Sequence, residues 1–261
     1  MQNKDYLWLH LKDLPYFRAM LRAVEAEFYQ GCPLPAPTLD VGCGDGHFAT
    51  IAFDRPLEVG IDPWSGPIHN ARQLGSHRLL IQGDAGQSPF SDETFASAIS
   101  NSVLEHIPHI DAVLEETARV LKPGAPFIFC VPNPRYFSEL SISGSLKRLG
   151  FRGLAKSYTA WFRRISRVHH ADDPDAWETR LHRAGFRLVR WWHYFSPAAM
   201  RAMEWGHYWG APSLVAHSLF KRWILMPTRW NLALTERYVR QFAVPDENPQ
   251  GVFSFYIAER Q

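Results

Sequence analysis

Along the first half of the chain the spacing of apolar residues switches back and forth between helical and strand-like periods. Leu14, Phe17, Leu21, Val24 and Phe28 stand three or four residues apart and predict an amphipathic helix. Gly31, Pro33, Pro35 and Pro37 end it and form a stiff link. Short apolar runs then alternate with helical patterns: Thr38 to Val41, Leu57 to Asp62, Leu79 to Asp84, Ala96 to Ser100, and a fifth run through Phe129. Such alternation predicts a parallel sheet joined by right-handed crossovers. Ligands bind such sheets at the carboxyl ends of the strands, and Asp40, Asp62, Asp84 and Asn101 all fall there.

After Pro132-Asn133-Pro134 the alternation stops. A helix is predicted from Asp175 to Arg183, a sixth strand from Arg187 to Phe195, and a last strand from Val252 to Glu259, where Phe253, Phe255 and Ile257 alternate with Ser254, Tyr256 and Ala258. Two long excursions separate these pieces, Arg135 to Asp173 and Ser196 to Gly251, and long excursions in a compact domain are usually functional. The expected organisation is an N-terminal helical segment (1–37), a nucleotide-binding core (38–133), an insertion (134–173), a core helix and strand (174–195), a second insertion (196–250) and the final core strand (251–261).

The densest local signal is Thr38-Leu39-Asp40-Val41-Gly42-Cys43-Gly44-Asp45-Gly46-His47-Phe48-Ala49, a short apolar run ending in an acid, then glycine at every second position, then the start of a helical pattern. It predicts a strand that turns sharply into a helix, with glycines where the backbone bends or a ligand comes close. A dinucleotide fingerprint would read G-x-G-x-x-G; here the third glycine comes one position early, before His47 and Phe48. That register disfavours a nicotinamide-dependent oxidoreductase. Further blocks follow in order: Leu57 to Asp62; Leu79 to Ala85; Ser88 to Phe95 with Leu104-Glu105-His106-Ile107; and Arg119-Val120-Leu121-Lys122-Pro123-Gly124-Ala125.

Together these blocks, spanning Thr38 to Pro132, resemble the motifs of class I S-adenosylmethionine-dependent methyltransferases of the small-molecule branch. The resemblance implies an α/β, Rossmann-like seven-stranded sheet, mostly parallel with the last strand antiparallel beside the fifth and sixth, and helical insertions forming a cap. It implies S-adenosyl-L-methionine as cofactor. Gly42, Gly44 and Gly46 would shape the turn, with Asp40 ordering it and meeting the methionine end. Asp62, with Pro63 beside it, would hold the ribose hydroxyls, while Asp84, Ala85 and Phe90 frame the adenine and Asn101 closes the strand tips. One position departs from the pattern: Ala96 stands where this branch usually carries Asp. That departure is the one feature leaning toward a catalytically silent cofactor-binding regulator or partner protein.

The methyl carbon of a sulfonium is already activated, so the protein has to align an acceptor and, for a hydroxyl, remove its proton. His106, just past the fourth strand, is the candidate general base, with a plain hydrogen bond to a neighbouring loop as its competing role. Tyr158, His169, His170, His193 and Tyr194 are placed on the substrate side by position. His169-His170-Ala171-Asp172-Asp173 has the composition of a metal cluster, but adjacent histidines tend to point apart and no third ligand follows at helical spacing, so no metal is expected.

Charge changes the picture in the second half. The 261 residues carry a net charge of only +2, yet from Ser145 to Arg240 there are 17 Lys and Arg against 6 Asp and Glu, with 11 against 20 elsewhere. Eight of the ten tryptophans lie in the same span, and Leu154, Tyr158, Trp161, Phe162 and Ile165 stand at helical spacing among basic residues. Three uses compete: peripheral contact with an anionic membrane, a cap around an acidic or aromatic small molecule, or the ordinary core and solvated face of added helices. A nucleic-acid partner is not expected, because no recognised module appears. Cys32, Cys43 and Cys130 are too few and scattered for a disulfide framework or a zinc site. With no apolar run near the roughly 20 residues needed to span a bilayer, a cytoplasmic enzyme, at most peripheral to a membrane, is expected. The chemistry anticipated is methyl transfer to a small or lipid-like acceptor at oxygen.

Overall fold

The computed structural model describes residues 4–261. The chain runs α1 (Tyr6–Leu11), α2 (Tyr16–Gln30), β1 (Thr38–Val41), α3 (His47–Ala52), β2 (Leu57–Asp62), α4 (Ser65–Leu74), β3 (His77–Gln82), β4 (Ser97–Asn101), α5 (Ile110–Val120) and β5 (Pro126–Pro132). It continues through α6 (Arg135–Ser138), α7 (Ser141–Arg148), α8 (Arg152–Ser166), α9 (Pro174–Arg183), β6 (Phe186–Tyr194), α10 (Pro197–Trp209), α11 (Ala211–Phe220), α12 (Arg229–Arg240) and β7 (Phe253–Arg260).

The strands form one sheet in the order β3-β2-β1-β4-β5-β7-β6. The pairs from β3 through β5 are parallel, and β7 lies antiparallel to β5 from Pro126 opposite Glu259 to Pro132 opposite Phe253. The sheet expected from the resemblance, including its reversed last strand, is the one observed. β1 is buried along its whole length, and β5 along nearly all of it, which explains the unbroken apolar run of β5. Leu39, Val41, Ala98, Phe127 and Phe129 pack with Leu114 and Ala118 of α5 into the main core.

The departures from expectation have local causes. β5 runs to Pro132 rather than Phe129 because each of its residues finds a partner on β7. β4 begins at Ser97, since the Ala96 N–H is turned to Pro37 O at 2.9 Å. The single N-terminal helix expected is two: Asp5 caps α1 by accepting from Trp8 N, and Pro15 opens a new helix at Tyr16.

The chain divides into two compact units. One comprises Cys32–Pro134, Ser166–His193 and Phe253–Gln261 and holds the sheet. Its antiparallel β5–β7 edge-side pair is tied by aromatic contacts: Phe129 stacks on Tyr256 at 4.8 Å between ring centroids, and the fully buried Trp177 of α9 meets both rings. The other, made of Met1–Gly31, Arg135–Ile165 and Tyr194–Val252, is helical. There α2 packs on α1, α10 and α12. A fully buried carboxylate, Glu204 of α10, accepts hydrogen bonds from Ser141 N and Oγ, Ile142 N and the Tyr158 hydroxyl, so it caps α7 from another helix. No helix among the described residues is long and apolar enough to cross a membrane.

Replacing Trp177 by Ala opens a cavity beneath β5 and β7 and should lower unfolding free energy by about 3–5 kcal/mol. Urea unfolding followed by circular dichroism reads this directly. A loss under 1 kcal/mol would mean that this edge is held by something other than the aromatic cluster.

Candidate functional site

β1 ends at Val41, and the chain turns back at once because the Gly42 and Cys43 N–H groups both donate to Ile61 O, at 2.9 and 3.1 Å. Gly42 has φ +77°, and a Cβ there would lie 2.3 Å from Val103 Cγ1, so a side chain is excluded by both backbone and neighbour. Gly44, at φ +55°, is different: nothing lies within 4 Å of where its Cβ would be, and the turn is open at that point. Its N–H donates to Asp62 Oδ2 at 3.0 Å, while Trp64 N donates to Asp62 Oδ1 at 2.9 Å.

Asp62 is buried at the tip of β2. Burial pushes its carboxyl above the usual 3.8, the two backbone donors pull it down, and Asp40 and Asp45 push it up again. Each oxygen has accepted one hydrogen bond and keeps acceptor capacity for another, which matches the two donors of a vicinal diol. Three carboxylates around one glycine turn repel a pyrophosphate and favour a ligand bearing positive charge and hydroxyl donors. The donor set therefore fits an adenosyl sulfonium.

The loop after β3 forms a second wall. Gly83 N donates to Asp62 O at 3.1 Å, the exposed Asp84 accepts from Gly86 N at 2.8 Å, and Phe90 sits edge-on to Phe95 at 4.9 Å. Two α5 residues that sequence reasoning missed pin this loop. Glu116 Oε1 accepts from Ser88 N and Oγ at 2.8 and 2.6 Å, and Arg119 donates to Glu116 and to Phe90 O at 2.7 Å. Hydrogen bonding from the Arg119 guanidinium, and after it from Ser88, holds the Glu116 carboxyl at about 2. Their i, i+3 spacing on a helix was visible in the sequence, but the partner loop was not. Trp64 was missed as well: its ring, 70% exposed, stands directly after Asp62-Pro63.

At the tip of β4, Asn101 Oδ1 accepts from Cys130 Sγ at 3.2 Å. The tight turn Leu104–His106 follows, and the segment Arg167–His170 is zipped to it. The His169 and His170 N–H groups both donate to Glu105 O, His170 Nε2 donates to Ile107 O at 3.0 Å, and His106 Nδ1 donates to Arg167 O at 2.9 Å. His106 thus makes the loop hydrogen bond considered for it, and that bond leaves Nε2 as its other nitrogen, 3.7 Å from Glu105 Oε1. His170 Nδ1 lies 3.5 Å from Asp172 Oδ2, and among the described residues no group of three or more His, Cys, Asp or Glu could hold a metal.

Other predicted positions are engaged differently. The Asp40 carboxylate is buried and meets His77 Nε2 at 3.1 Å, with Ser76 Oγ at 2.8 Å from His77 Nδ1. His193 Nδ1 bonds Ser254 Oγ at 2.7 Å. Tyr194 needs correction as a substrate-side residue: it is fully buried in the helical unit and donates to Glu25 at 2.8 Å, leaving no surface for a ligand. Tyr158, in the same unit, is half-buried, and its hydroxyl is bonded to Glu204 and Tyr208 at 2.6 Å each.

Residues 39–129 match the model of a family described as a methyltransferase domain. Over that stretch the chain is similar to a methyltransferase domain. A fatty-acid O-methyltransferase of Mycolicibacterium smegmatis is 38% identical over 104 residues, covering 38% of each chain. A malonyl-[acyl-carrier protein] O-methyltransferase of Methylococcus capsulatus is 32% identical over 120 residues, covering 42% of each. The chain therefore spans well under half the length of these two relatives. A solved S-adenosylmethionine-dependent methyltransferase of Thermotoga maritima is similar in fold, with a TM-score of 0.55, 14% identity, and coverage of 94% of this chain and 91% of the other. The matched stretch includes the glycine turn, Asp62, the β3 loop and the Leu104–His106 turn.

Glu116→Gln should destabilise the sheet-bearing unit by about 1–2 kcal/mol at pH 7. Because the folded carboxyl lies near 2 and an ordinary glutamate near 4.5, the stabilisation is complete above about 4.5 and disappears as pH falls toward 2. Denaturant unfolding of both proteins across that range should show the two curves converging. Parallel curves would remove Glu116 from the linkage.

Proposed function

We propose that the chain transfers a methyl group from S-adenosyl-L-methionine to a small or lipid-like acceptor, at oxygen. The observation that carries the reading is Asp62: a buried carboxylate with acceptor capacity to spare, sharing a glycine turn with Asp40 and Asp45. The cofactor, when bound, supplies an activated methyl carbon. Asp62 accepts from both ribose hydroxyls, as a fixed acceptor whose partners gain from its low-dielectric setting. Gly44 gives the ligand room above the turn, and Gly42 and Gly46 hold the backbone that shapes it. Trp64, Pro63, Ala85 and Phe90 offer apolar surface to the adenine, Asp84 accepts from its amino group, and Asn101 marks the far wall.

His106 acts as general base. Its Nδ1–H is committed to Arg167 O, so Nε2 is the nitrogen that receives the acceptor's hydroxyl proton, and the imidazolium so formed lies beside Glu105. His169 and His170 position this turn from behind. Acceptor at oxygen, and a lipid-like or acyl acceptor, are supported by the fatty-acid and malonyl-carrier O-methyltransferases to which residues of the core are similar. The insertions 134–173 and 196–250 are assigned the selection of that acceptor, and a cytoplasmic protein in peripheral contact with an anionic membrane belongs to the same reading.

Asp62→Ala should weaken S-adenosylmethionine binding by about 1–3 kcal/mol in calorimetry, and wild-type affinity should fall as pH drops through a carboxyl lying above the usual 3.8. An unchanged dissociation constant would refute the ribose assignment. His106→Ala should cut turnover at least a hundredfold with labelled donor and a hydroxyl-bearing lipid, whose proton the base has to remove, while donor affinity stays within twofold. Full activity in that variant would place the base elsewhere.

A further inference from the structure

Between Glu204 and Glu236 the chain contains no acidic side chain. In the same span the helical unit leaves its largest apolar side chains in water: Leu219 and Phe220 at the end of α11, Leu225 and Met226 in the link 221–228, and Trp230 and Leu234 of α12, the last two 72% and 83% exposed. Trp230 and Leu234 are four residues apart and share one helix face. Apolar surface of this extent is uncommon on a monomer without a partner.

Cations stand directly beside it. Lys221 and Arg222 are exposed, and with Lys12 and Trp223 they line a hollow of about 370 Å³ that contains one carboxylate, Asp13. Trp223 stacks on His217 at 4.2 Å, and the Arg18 guanidinium lies 6.0 Å from its ring. Arg229, in contrast, is spent on Asp5 and Glu236 inside the unit. A positively charged hollow bordered by exposed leucine, phenylalanine, methionine and tryptophan fits the boundary between headgroups and acyl chains.

We infer that residues Ala211–Arg240 dock the protein on an anionic phospholipid bilayer, with Leu219, Phe220, Leu225, Met226, Trp230 and Leu234 entering the acyl boundary and Lys221 and Arg222 meeting headgroup phosphates. A second copy of the chain is a poorer occupant, because a twofold contact through this patch would bring Lys221 and Arg222 against their own copies. As the route to a lipid-like acceptor the docking rests on the transferase reading; as a surface it stands on the exposed side chains alone.

Full-length protein sedimented with vesicles tests it. It should partition onto vesicles of phosphatidylglycerol and phosphatidylcholine, and weakly onto phosphatidylcholine alone. Lys221→Ala with Arg222→Ala should lower partitioning onto the anionic vesicles by roughly 10- to 30-fold, the share of two basic groups at such a surface. Leu225→Asp with Met226→Asp, in the non-helical link, should lower it on both by at least tenfold. Brominated phospholipid quenching tryptophan fluorescence of the wild type gives the same answer without any substitution. Absence of partitioning and quenching, partitioning indifferent to both double variants, or a vesicle-independent dimer abolished by Leu225→Asp would each overturn the proposal. Donor calorimetry on the same samples reports the transferase reading separately: vesicle binding with no donor binding would spare the docking surface and sink the methyl transfer.

Discussion

A buried carboxylate is costly unless hydrogen bonds replace its water, and Asp62 meets that condition with backbone N–H groups of the glycine turn and of its own strand end. The bond from Gly44 N to Asp62 therefore does two things. It offsets the desolvation of the acid, and it fixes the tip of β2 against the turn leaving β1. Ile61 O, accepting from Gly42 and Cys43, reinforces the same juncture one residue earlier. The remaining acceptor capacity of Asp62 is then held rigidly, with little reorganisation left to do when a diol arrives.

The walls of the site are supported from behind in the same manner. Glu116 and Arg119 on α5 tie down the loop bearing Asp84 and Phe90, and the Arg167–His170 segment ties down the turn bearing His106. Both supports join residues far apart in sequence, by 28 positions for Ser88 and Glu116 and 61 for His106 and Arg167. Val103, packed where a Gly42 side chain would stand, links the β4 turn to the glycine turn. One contiguous set of contacts thus orders the strand tips.

Much of this was legible before any coordinates. The period-two and near-3.6 patterns located the strands to within about three residues, because parallel strands buried on both faces read as plain apolar runs. The acids at strand ends were found because a strand's carboxyl end and a charged residue coincide in sequence. What escaped was long-range pairing. Nothing near Glu116 announces Ser88, and nothing near Tyr194 announces Glu25, so a tyrosine that looked available to substrate is a buried donor. The Asp40 partner, His77, lies two strands away with Gly60 between them, and a strand-by-strand reading does not connect them. Excess charge and tryptophan in the second half of the chain were counted correctly, but only the fold separates Trp177, fully buried, from Trp230, largely exposed.

The central claim is that the glycine turn and Asp62 form a seat for an adenosyl sulfonium and not for a dinucleotide. Calorimetric titration of the wild-type protein with S-adenosylmethionine and with NAD⁺ under identical conditions tests it most directly. Saturable binding of one S-adenosylmethionine per chain, with no measurable heat from NAD⁺, is the predicted result. Binding of NAD⁺ in preference, or of neither, would contradict it.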